Sequence, residues 1–80
     1  MKARVTVTLK TSVLDPQGKA IEGSLRSLGF DGVESVRQGK VFDLEVAGED
    51  KAKAEADIKA MCEKLLANTV IESYRVEIAG

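Results

Sequence analysis

Histidine and tryptophan are absent from this 80-residue chain, and cysteine and proline occur once each, as Cys62 and Pro16. Without histidine and with one thiol, neither a Cys/His structural zinc site nor a Ser-His-Asp or Cys-His catalytic set can be assembled. The lone cysteine rules out an intrachain disulfide, and the N-terminus alternates instead of forming an apolar block, so the expected compartment is the cytoplasm. No apolar run approaches the ~18–20 residues that cross a bilayer, so no membrane span is expected. Neither sign of charge dominates. Twelve basic and thirteen acidic residues leave a net charge of −1, a poor footprint for a nucleic-acid backbone. No GxxxxGK[ST] occurs and no GxGxxG follows a strand. A chain this short scarcely encloses the ~300 Å³ of a small-molecule pocket. The expectation is a chain with no catalytic residues, no metal site and no cofactor of its own.

What is present reads as a single globular domain over residues 1–80, with 44% apolar and 31% charged residues. A core this small, unsupported by disulfide or metal, gains most from burying surface against another subunit, so oligomerisation is expected. Ala3, Val5, Val7 and Leu9 alternate with Arg4, Thr6, Thr8 and Lys10, the period of a half-buried strand. Asp15-Pro16 is a helix start, with a capping carboxylate and a proline at the first helical position. Ala20, Ile21, Ser24, Leu25 and Leu28 then share one helical face, and Gly29 ends it.

Residues 33–37 read as a weaker strand, joined through the glycine-centred Gln38-Gly39-Lys40 hairpin connection to a strand over 41–46. Glu49 or Asp50 starts a second helix, whose stripe of Ala54, Ile58, Met61 and Leu65 is read as core. Glu55 and Lys59 pair on its surface, and Asn68 is expected as its left-handed terminator. Cys62 reads as a small buried hydrophobe. Tyr74, Val76 and Ile78 alternate with Arg75 and Glu77 in a last strand. The order is β-α-β-β-α-β: an α+β fold of the split-βαβ, ferredoxin-like type, an antiparallel sheet with two helices on one face. Its other face would carry mixed charges, among them Arg4, Asp43, Glu45, Arg75 and Glu77.

Three strings exceed generic patterning: Lys10-Thr11-Ser12-Val13-Leu14-Asp15-Pro16-Gln17-Gly18, Val36-Arg37-Gln38-Gly39-Lys40, and the run from Met61 through Leu65-Leu66-Ala67-Asn68-Thr69-Val70-Ile71 to Glu72. Together, and in this order, they make the chain resemble the PurS subunit family of phosphoribosylformylglycinamidine (FGAM) synthase over essentially its whole length. Ser12 and Thr69 depart from the glycine and proline usual in that family. The resemblance implies a non-catalytic small subunit in de novo purine (IMP) biosynthesis. It would bridge a glutaminase subunit (PurQ) and a large synthetase subunit (PurL), and support ammonia transfer for conversion of FGAR to FGAM. ATP and Mg would be used by the synthetase subunit, not by this chain.

The resemblance points to Lys10, Asp15, Pro16, Gln17, Gly18, Lys40, Leu66, Asn68, Val70, Ile71 and Glu72 as interface candidates, and to a homodimer or dimer of dimers whose seam is open. An alternative function is a ferredoxin-like regulatory module binding a small ligand at a dimer interface, with Gly29, Gly32 and the mixed-charge sheet face contributing. An RNA-binding sheet is disfavoured, because Phe30, Phe42 and Tyr74 fall in a turn or on the helix-covered face.

Overall fold

The computed structural model describes residues 1–79. Its sheet has three strands, β1 (Lys2–Leu9), β2 (Gly39–Glu45) and β3 (Glu72–Ala79), in the order β2-β1-β3 with both pairings antiparallel. β1 is central because it is the strand whose inward residues can be buried from both sides. Val5 lies between Phe42 and Val76, and Ala3 between Leu44 and Ile78, and Ala3, Val5 and Val7 are all buried. The outward face carries the predicted charges, with the Arg4 Nε donating to Asp43 Oδ1 at 2.8 Å across the strand pair.

The second helix, α2 (Lys51–Met61), begins at Asp50, whose side chain accepts the Lys53 N–H at 3.2 Å. It covers the sheet through Ala54, Ile58 and Cys62, which with Ala67 complete the buried core; Phe42, Leu44, Tyr74, Val76 and Ile78 close around them. Glu55 and Lys59 pair at 3.0 Å as their spacing requires. The helix does not run regularly to Asn68. Residues Cys62–Leu66 form a π-helical turn closed by the Ala67 N–H on the Cys62 carbonyl. The wider turn keeps Cys62 and Leu66 toward the core and leaves Leu65 83% exposed. Met61, expected in the core, is also exposed, and its neighbour Cys62 is the buried residue of that turn. Nor is Asn68 left-handed: among the described residues no non-glycine residue has positive φ. It caps the next turn instead, its Oδ1 accepting the Val70 N–H at 3.2 Å.

The larger departure concerns the first helix, α1 (Pro16–Ser27). Its ends are as expected. Asp15 is extended and its Oδ1 accepts the Gly18 N–H at 2.9 Å. Gly29 at φ +97° closes the helix, with N–H bonds from Gly29 to the Arg26 carbonyl and from Phe30 to the Leu25 carbonyl. Yet α1 does not lie on the sheet beside α2, and the closely packed element pairs are β1–β3, β1–β2 and α2 with its π turn and with β3. Its buried residues are Gly18 and Glu22, while Ile21 and Leu28 are exposed.

Residues 33–37 are not a fourth strand. They run along α1 as a strap, and alternate N–H groups that a neighbouring strand would have accepted go to carboxylates. The Val36 N–H donates to Glu22 Oε2 at 3.0 Å and the Gln38 N–H to Asp15 Oδ2 at 2.8 Å. Gln38-Gly39-Lys40 therefore opens β2 without making a hairpin. Helix and strap form an arm projecting from one end of the sheet, and the molecule measures 49 × 26 × 14 Å. Its radius of gyration, 16.0 Å, exceeds the ~12 Å of a compact chain of this length.

Candidate functional site

The three strings singled out in the sequence meet at the end of the sheet where β1 finishes and β2 and β3 begin. The Lys10 N–H donates to the Ile71 carbonyl at 2.8 Å, tying the first string to the third. Asp15 ties the first to the second through Gln38. Between them lies an open cleft of about 220 Å³, lined by Asp15, Gln17, Gln38, Lys40 and Glu72 among others.

Lys40 Nζ stands 3.8 Å from Glu72 Oε2 and 5.8 Å from the centre of the Phe42 ring, so it crosses the cleft mouth. Glu72 Oε1 accepts the Asn68 N–H at 2.6 Å, which fixes the turn carrying Val70. That valine is 80% exposed, and Ile71 is exposed beside it. Of the eleven candidates, Pro16 and Gly18 serve the helix start and Leu66 faces the core. The others gather at this end of the molecule.

Close approach explains two of the glycines. A Cβ on Gly18 would overlap the Val36 carbonyl oxygen, and one on Gly39 would lie 2.7 Å from the Val7 carbonyl oxygen. Ser12 does not have positive φ, so the loop requires no glycine at that position.

Two side chains outside the candidate set hold the site together. Arg37 Nη2 donates to the Lys10 carbonyl at 2.9 Å and to the Val13 carbonyl at 3.1 Å, with the Leu9 carbonyl at 3.5 Å. Glu22 is buried along the strap, with Lys19 and Arg26 at 3.7 and 3.6 Å. The signal for Glu22 was present: Asp15, Gly18, Glu22 and Arg26 recur at helical spacing on the side opposite the apolar stripe.

The N–H groups of Gln38 and Gly18 hold the Asp15 carboxyl below its usual range, and the Val36 N–H does the same for Glu22. Both carboxylates are occupied as backbone acceptors and stay charged, an arrangement suited to structure more than to proton transfer. Burial pushes the Cys62 thiol up, with Glu63 adding to it, the reverse of what a nucleophile needs. Among the described residues no cluster of three or more His, Cys, Asp or Glu side chains is placed to hold a metal. No helix among them is long and apolar enough to cross a membrane.

The family profile "PurS: Phosphoribosylformylglycinamidine (FGAM) synthase" matches residues 2–80. The chain is 51% identical over 77 residues to the phosphoribosylformylglycinamidine synthase subunit PurS of Synechocystis sp., covering 96% of this chain and 77% of the relative. A solved structure of Bacillus subtilis PurS superposes with a TM-score of 0.89 at 48% identity, covering 99% of this chain and 98% of that one. A chain in the structure of PurLQS from Thermotoga maritima gives a TM-score of 0.88 at 41% identity over 95% of this chain and 93% of that one. Agreement at this coverage takes in the projecting arm as well as the sheet. By motif, by length and by architecture, this chain belongs to the PurS family of phosphoribosylformylglycinamidine synthase.

Proposed function

We propose that this chain is the small subunit of FGAM synthase that performs no chemistry itself. It joins the glutaminase subunit (PurQ) to the ATP-dependent synthetase subunit (PurL) in cytoplasmic purine biosynthesis and keeps ammonia on course between them. ATP and Mg belong to the synthetase in this reading. The observation that carries it is uncovered surface on which large apolar side chains stand exposed. The chain exposes 5764 Å², roughly 1,000 Å² more than a compact protein of its mass. A stable protein contact covers about 800 Å² on each partner.

Large apolar side chains are exposed on the outer face of the arm (Ile21, Leu28, Phe30) and toward the end of the sheet (Leu65, Val70, Ile71), and Leu14, Val41 and Met61 are exposed besides. Two separate patches suit a subunit with more than one neighbour, including a second copy of itself in a homodimer or dimer of dimers. The alternative of a ligand-binding regulatory module draws less support: the mixed-charge sheet face carries an open hollow of about 480 Å³, but Arg4 and Asp43 in its lining are paired with each other and exposed, and neither Gly29 nor Gly32 lines it.

Reconstitution tests the proposal. The purified chain should hydrolyse neither glutamine nor ATP, and should be required for glutamine-dependent turnover when the other two subunits are mixed. A stable complex of those two, turning over at full rate without it, would end the proposal.

A further inference from the structure

We propose that Asp15 and Arg37 form a pivot setting the angle of the α1 arm to the sheet, and so act as positioning residues for glutamine-dependent turnover. The inference rests on the bridging role above and adds to it the part of the chain that sets the bridge's geometry. The arm leaves the sheet through two chain crossings, at residues 10–15 and 38–39, and α1 has no closely packed strand beneath it. Its angle is therefore held by few ties. Asp15 spans the two crossings, with Oδ1 on the Gly18 N–H and Oδ2 on the Gln38 N–H. From the strap, Arg37 collects the carbonyls of Lys10 and Val13, with that of Leu9 slightly farther off, and so binds the strap to the end of β1.

The lever is long. Twelve helical residues extend about 18 Å, so a rotation of about 10° at the pivot moves the tip by about 3 Å. One apolar patch rides on that lever and the other sits on the sheet. A loose pivot leaves both patches chemically intact and misplaces them relative to each other. A bridge in that condition still assembles, and loses ammonia between the two active centres.

The test uses the full three-subunit complex with Arg37→Ala, Asp15→Asn and Arg37→Lys. The readout is glutamate released per FGAM formed, beside the ammonium-dependent rate and the size of the complex. Arg37→Ala and Asp15→Asn should raise the glutamate-to-product ratio on the order of 10-fold, and Arg37→Ala, at a residue outside the interface candidates, should leave ammonium-dependent turnover and assembly unchanged. Arg37→Lys, which keeps the charge and loses the guanidinium fork, should recover part of the coupling. An unchanged ratio, or a ratio that changes only because the complex falls apart, overturns the inference.

A second measurement needs no activity. Spin labels at Ser27→Cys and Ser73→Cys, in chain diluted with unlabelled protein, should give one narrow distance in the wild type and a broad one in Arg37→Ala. A narrow distance in both overturns the pivot. Failure of the bridging role would show in the wild-type complex, as turnover independent of this chain, while the label distances still decide the pivot.

Discussion

At the scale of single residues, three glycines test how far space inside the lone chain explains the sequence. Gly39 begins β2 where the strand presses on β1, and a Cβ there would meet the Val7 carbonyl oxygen at 2.7 Å and the Thr8 methyl at 2.8 Å. Gly39→Ala is expected to cost about 1–3 kcal/mol, more than the entropy it saves in the unfolded chain. Urea unfolding should show a lower midpoint at unchanged slope. Gly18 is equally confined, beneath the strap.

Gly23 is the opposite case, with no atom within 4 Å of its absent side chain. Gly23→Ala should therefore stabilise α1 by about 1 kcal/mol, read as added helicity by circular dichroism. Nothing within the single chain explains the glycine at that position. From sequence, Gly18 and Gly39 were legible only as members of recurring strings, because a close approach between distant segments leaves no local periodicity.

At the scale of elements, the arm depends on carboxylates. A twelve-residue helix containing Gly18 and Gly23 is marginal by itself, and the strap holds it through Asp15 and Glu22. Both groups have their pKa lowered in the folded chain, by backbone N–H donors above all. Their contribution to stability is therefore complete above the ordinary carboxylate pKa of about 4 and is lost as the pH falls through the lower folded values. Amide exchange should show Val36 and Gln38 losing protection as the pH is taken below about 4, before the central β1 amides do. Simultaneous loss in strap and sheet would contradict an arm held independently.

The helix starts at Asp15 and Asp50, the end at Gly29 and the alternation of β1 and β3 were all readable locally. The strap was not. Its alternating N–H groups are satisfied by side chains fourteen and twenty-three residues away, and no local pattern distinguishes that partner from a strand. Likewise the stripe through Ile58 was legible, whereas the π turn that leaves Leu65 exposed was not.

At the scale of the whole molecule, the α+β, ferredoxin-like plan holds with an antiparallel sheet of three strands. Helix α1 stands off that sheet and leaves an extended shape with apolar patches uncovered on the arm and at the sheet end. Leu28, 72% exposed on the arm, and Val70 beside the cleft have little to lose in the isolated chain. Leu28→Glu and Val70→Glu should each change its stability by no more than about 0.5 kcal/mol. Each should weaken a different association, one made by the arm and one made by the sheet end. Light scattering of the purified chain and of its mixtures with the glutaminase and synthetase subunits would separate them. If both substitutions weakened the same contact, the two patches would form one surface.

Local chemistry sufficed for β1, β2 and β3, the helix starts at Asp15 and Asp50, the close at Gly29 and the family strings, since each depends on residues a few positions apart. Where α1 comes to rest is another matter. The apolar stripe of Ile21, Leu25 and Leu28 asks only for an apolar neighbour, and the periodicity is the same whether that neighbour is this sheet or another surface. Glu22, Asp15 and Arg37 settle the choice by bonding the strap and loop backbone over long separations, turning the polar side of the helix inward and its apolar side out.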